Sequence, residues 1–202
     1  MQRALVTTAA ATVLTALALS TAGCGGSAAA GTPPTVHRPA SARPAPTKSG
    51  GREAEVYDQV LRRYLSTPAE NSFPAGTFKM VYVLDRAYPE AARPDGPDWP
   101  GVPIAPQTRR QVTAALAGMA HVIFIADRRS VMKARGGCAH VNNGRILITL
   151  SPPVGHGNDV HVAIKGFVAC VGATWLTYVL HDQPGVGWRV KDTTGAGAAA
   201  IS

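Results

Sequence analysis

Residues 107–128, QTRRQVTAALAGMAHVIFIADR, decide the fold, because a helical period gives way to a strand with almost no connecting loop. Val112, Leu116 and Met119 return on one side at the spacing of a helix face, and Thr108, just after Pro106, supplies the N-cap region. This predicts a helix over Gln107–Ala120. Val122–Ala126 (VIFIA) then reads as a strand, apolar on both faces and therefore expected in the middle of a sheet.

The same order appears upstream. Glu53–Leu65 carries Val56, Val60, Leu61, Tyr64 and Leu65 as a helical stripe with Arg62 and Arg63 outward, and Phe78–Leu84 (FKMVYVL) reads as a strand. Between the two units, six prolines within residues 87–106 predict a long surface loop that also holds Trp99. Downstream, strands are expected at Arg145–Leu150, Asp159–Lys165, Phe167–Leu180 and Gly187–Asp192. Turns are expected at Lys165-Gly166 and Gln183-Pro184-Gly185, and a bulge or bend at Gly172 inside the long strand. Together these features predict one α+β domain over residues 52–193. Two helices should pack on one face of a curved, mainly antiparallel sheet of five or six strands, with residues 194–202 a frayed tail.

The amino terminus has a different character. Met1-Gln2-Arg3 is followed by an uncharged run from Ala4 to Gly23 that ends at Cys24, which are the parts of a secretory signal. Ser20-Thr21-Ala22-Gly23-Cys24 resembles the lipobox of bacterial lipoproteins, with Thr21 in the place that family usually gives to Leu. The resemblance covers this segment alone. It implies cleavage after residue 23, acylation of Cys24, and display on the outer face of the cytoplasmic membrane. An excess of Arg over Lys, fifteen to five, resembles the usage of high-GC bacteria such as actinomycetes. Residues 24–51 hold five prolines, no acid, and Val36 as the one large aliphatic residue, so they are expected to form a disordered tether.

Charge then has to be reassigned. The 202-residue chain has 20 basic and 12 acidic residues, a net of +8, which by itself would point to nucleic acid or an anionic surface. Arg3 belongs to the signal and Arg38, Arg43 and Lys48 to the tether, leaving 16 basic against 12 acidic residues from Arg52 onward. A local cluster, Arg128, Arg129, Lys133 and Arg135, lacks interleaved stacking aromatics, so it reads as a solvated loop that could meet anionic envelope material. Nucleic acid is not an expected partner. The expected partners are the membrane, through the lipid, and an envelope ligand or protein.

Once Cys24 is assigned to lipid, Cys138 and Cys170 remain, with 31 residues between them. In an oxidising compartment they are expected to form a disulfide, worth roughly 3–4 kcal/mol on chain entropy. Neither His140 nor the His156–His161 segment matches the ligand spacing of a metal site.

The search for catalysis is mostly negative. There is no G-x-S-x-G elbow, P-loop or dinucleotide fingerprint, so no catalytic residue, cofactor or metal is assigned. One internal echo stands out: each of the first two strands ends in Asp-Arg, at Asp85-Arg86 and Asp127-Arg128. If the strands are parallel neighbours, both pairs emerge at the carboxyl edge, where open α/β sheets bind ligands. These four residues are the candidate ligand-binding set of a non-enzymatic binding or accessory module. The alternative is an envelope hydrolase with Asp85 and Asp127 as acid and base, which requires their carboxylates to share a cleft.

Overall fold

The computed structural model of the chain describes residues 48–93, 100–170 and 172–195. The signal segment, Cys24, the tether as far as residue 47, Trp99 and the tail from residue 196 lie outside them.

The fold is α+β, with helices on a curved sheet. In chain order the elements are α1 (Lys48–Ser66), α2 (Pro68–Asn71), β1 (Met80–Leu84), β2 (Arg86–Ala87), β3 (Val102–Pro103) and α3 (Pro106–Leu116). There follow β4 (His121–Ile125), β5 (Met132–Arg135), β6 (Cys138–Val141), β7 (Ile146–Leu150), β8 (Asp159–Ala169), β9 (Gly172–Gln183) and β10 (Gly187–Thr194). The main sheet has the order β10-β9-β8-β7-β1-β4, with β6 also pairing to β8 and carrying β5. The run β10–β9–β8–β7 is antiparallel, whereas β1 is parallel to both β7 and β4. A β-α-β unit, β1–α3–β4, is thus joined through β7 to an antiparallel meander.

The sheet has two covered faces. On one, α1 presents Val56, Tyr57, Val60, Leu61 and Tyr64, all fully buried against Val81 and Val83 of β1, Val162 and Ile164 of β8, and Tyr178 and Leu180 of β9. Burial at this spacing is the amphipathic stripe expected of a core-facing helix. The polar tips of its tyrosines are satisfied: Tyr57 donates to the Ser151 carbonyl at 3.1 Å, and the Tyr64 hydroxyl bonds Thr174 Oγ1. The opposite face carries a smaller cluster, Tyr82, Leu84 and Leu147 under Val131 and Val141.

The structure departs from the sequence expectations at definable places. β4 lies at the edge of the sheet, not in its middle. Val122 and Phe124 pack into the helix-covered core, Val122 fully buried, and Ile123 and Ile125 pack half-buried against the second cluster, so two covered faces do not require two neighbours. Lys165-Gly166 is not a turn; β8 runs through it to Ala169, with Gly166 opposite Thr174. Glycine is needed there because a Cβ would overlap the Tyr64 hydroxyl. Gly172 accordingly opens β9, and the bulge falls between Phe167 and Ala169.

Residues 132–141, expected as loop, form the β5–β6 hairpin. The proline-rich segment includes the two-residue β2–β3 ribbon, and Pro106 begins α3. Finally, α1 starts at Lys48, four residues before the expected domain start.

Candidate functional site

The parallel register Leu84↔Ile125 brings the ends of β1 and β4 side by side, and the Asp85 amide donates to the Ile125 carbonyl at 2.9 Å. Both Asp-Arg pairs therefore leave the sheet at one edge, as the echo predicted. They do not leave on one face. Asp85 follows the paired position by one residue and Asp127 by two, and side chains alternate along a strand, so the carboxylates diverge.

Asp85 turns toward the helices, where Arg109 Nη1 lies 3.4 Å from Oδ2. Arg86 enters the β2–β3 ribbon opposite Pro103. Asp127 and Arg128 go to the other face. The acid–base pair required of a hydrolase is not assembled: one carboxylate is held by Arg109 and the other is spent on a turn.

That turn builds one wall of a cleft. Asp127 Oδ1 accepts the Arg129 amide at 2.8 Å, and its carbonyl accepts the Ser130 hydroxyl at 2.6 Å. The result is a short 3-10 turn over Arg128–Ser130 that leaves both arginine side chains exposed at the rim. The cleft has a volume of about 400 Å³. Its floor is apolar, made by Leu84, Leu147, Phe167 and Met132. Tyr88, Thr149 and Lys165 line it as well, with Lys165 Nζ 3.4 Å from the Arg93 carbonyl. Neither Arg128 nor Arg129 forms an ion pair with a carboxylate among the described residues.

The hairpin that brings Met132 to this floor is tied down at its far end. Cys138, at the start of β6, is disulfide-bonded to Cys170, just past β8, with Cα atoms 5.6 Å apart. Otherwise β6 meets β8 at the single register pair His140↔Ala169.

Chemically, the cleft offers two guanidinium groups over an apolar floor, an arrangement suited to an anionic group attached to an apolar body. No histidine or cysteine lines it among the described residues. The Ser130 hydroxyl donates to the Asp127 backbone carbonyl, so it is engaged in the turn. No group of three or more His, Cys, Asp or Glu side chains that could hold a metal ion occurs among the described residues.

Of the expected set, then, Asp127 and Arg128 line the cleft and Asp85 and Arg86 do not. Arg129 was visible as part of the basic cluster. Phe167 was not legible as a neighbour of Lys165, because the expected turn at Lys165-Gly166 assigned it to the following strand. Comparison with protein-family models, curated proteins and solved structures finds no match to this chain.

Proposed function

We propose that the chain is a lipid-anchored envelope lipoprotein, acylated at Cys24, whose folded domain is a non-enzymatic binding module for an anionic ligand. The observation that carries the binding reading is the cleft at the carboxyl ends of β1 and β4. There the Asp127 turn holds Arg128 and Arg129 above Leu84, Leu147 and Phe167. Ligands favour that edge where parallel strands end. The anchor reading rests on the Ser20–Cys24 segment and the apolar run before it.

The binding test is calorimetric titration of the full chain with a medium-chain fatty-acid carboxylate, an alkyl phosphate, and a neutral alcohol of equal length. The two anions should bind and the alcohol should not. Arg128→Ala with Arg129→Ala should weaken anion binding about tenfold or more while moving stability by no more than about 0.5 kcal/mol, since both side chains are exposed. Equal binding of the alcohol, or anion binding indifferent to the two arginines, would reject the site. Separately, Cys24→Ala should move the protein out of the membrane fraction, and retention there would overturn the anchor.

A further inference from the structure

The cleft is graded along its length. Two register pairs of β7 and β8 cross its floor, Leu147↔Phe167 and Thr149↔Lys165. Side chains on one face recur every second residue, so the apolar pair and the polar pair stand about 7 Å apart along the strands. One residue beyond Val83↔Ile148, Leu84 of β1 comes level with Thr149, and Leu84↔Ile125 sets the end of β4 level with both. Arg128 and Arg129 follow β4 and so stand at the Thr149–Lys165 end. Leu147 and Phe167 lie at the other end, where the floor runs into the cluster of Tyr82, Val131 and Val141.

Across the cleft, β7 and β1 separate β8 from β4, three strand spacings or about 14 Å. Lys165 stands on one wall and Arg128 with Arg129 on the other, a span that long cationic side chains close around one headgroup. The other ionisable groups lining the cleft are the Asp127 carboxylate and the Tyr88 phenol. Cations therefore outnumber the one carboxylate by two, and that carboxylate is bonded into its own turn. Lys165 already donates to the Arg93 carbonyl, so its part here is counted as charge alone. A monoanion leaves one positive charge of the excess uncompensated in a partly dry cleft, whereas a dianion leaves none. A phosphate monoester carries close to two charges at neutral pH and offers three acceptor oxygens to the cations on both walls.

We infer that the ligand of this cleft is a phosphate monoester carried on an apolar chain, its headgroup between Arg128–Arg129 and Lys165 and its chain along Leu147 and Phe167. This names the ligand class of the proposed binding site and rests on that site being the right one. Charge selects a monoester over a carboxylate or a phosphate diester, each of which brings one negative charge. The apolar end of the floor selects an amphiphile over free phosphate, which has nothing to set against Leu147 and Phe167.

The test is titration calorimetry of the full chain with octyl phosphate, octyl sulfate and inorganic phosphate, at about pH 5 and about pH 8. A phosphate monoester gains its second charge near pH 6, whereas octyl sulfate keeps one charge throughout and reports any titration of the protein itself. At the higher pH octyl phosphate should bind roughly five- to tenfold more tightly than octyl sulfate, and at the lower pH the two should bind alike. Inorganic phosphate should bind at least about tenfold more weakly than octyl phosphate. Lys165→Gln should bring octyl phosphate down to the octyl sulfate value, and Lys165→Arg should keep the preference. If Lys165→Gln does not fold, the pH comparison on the unaltered chain decides. Equal binding of octyl phosphate and octyl sulfate at about pH 8 would overturn the monoester while leaving an anion site in place. Inorganic phosphate binding as tightly as octyl phosphate would overturn the amphiphile. No binding of either octyl anion, or binding indifferent to Arg128→Ala with Arg129→Ala, would reject the cleft itself and the ligand class with it.

Discussion

Gly166 is where helix α1 and the sheet come closest. Its strand neighbours are Ile148 and Thr174, and the Tyr64 ring sits over it with its hydroxyl bonded to Thr174. A methyl group there would overlap that hydroxyl and crowd the ring carbon beneath it, at 2.7 Å. The ring is buried on all sides and cannot swing away. Gly166→Ala should therefore destabilise the domain by about 1–3 kcal/mol, read as a lower denaturant midpoint at unchanged m-value. Tyr64→Phe in the same chain should recover part of the loss, since it deletes the overlapping oxygen. An additive double variant would mean that the two positions do not meet.

At the scale of elements, the β5–β6 hairpin shows how weakly a short ribbon is held. One register pair and one disulfide connect it to the meander, along with the packing of Val131 and Val141 on Tyr82 and Leu147. Replacing Cys138 and Cys170 by serine should cost about 2–4 kcal/mol in denaturant unfolding. Hydrogen exchange in residues 132–141 should rise more than in β8 or β9. Uniform acceleration across the sheet would show that the crosslink acts only on the unfolded chain.

The hairpin also marks the limit of what its residues announced. Periodicity made α1, α3, β1, β4 and β7 legible, because each buries a stripe that repeats within a few residues. MKAR and CAHV bury little and lean on a crosslink, so no stripe exists to read. A glycine that admits a tyrosine looks the same in sequence as a glycine that turns a chain, which is why Gly166 misled. Half the site was legible, since Asp127 and Arg128 follow a clear strand. The divergence of Asp85 was not, because it depends on the register Leu84↔Ile125 between strands 41 residues apart.

Across the whole molecule, three buried tyrosines set a limit at high pH. Burial pushes the Tyr64 hydroxyl from its ordinary 10.0 up to about 12. Burial, reinforced by the nearby Glu53 carboxylate, raises Tyr57 further, and burial with a hydrogen bond to Glu70 does the same for Tyr178. Each raised value means that the folded state holds a proton the unfolded chain releases above about pH 10. Their contribution is therefore intact below pH 10 and is lost as pH climbs toward 12 and beyond. Denaturant midpoints should hold up to about pH 10 and then fall steeply. Tyrosinate absorbance from these three residues should appear together with the loss of far-UV circular dichroism. Ionisation near pH 10 in a folded chain would contradict their burial.

The position of β7 between the two halves of the sheet has a consequence in time. The meander β8–β9–β10 is built from neighbours along the chain, and hairpins of that kind close in microseconds. The β1–β4 pair needs a crossover helix in place, and β1 can meet the meander only after β7 has been added along its other side. Assembly thus waits on one five-residue strand with a central Ile148 that is fully buried. Were the meander and the β1–β4 pair to form before it docks, each would expose an unsatisfied edge. Those early moments, more than the finished fold, are when the chain is most open to aggregation.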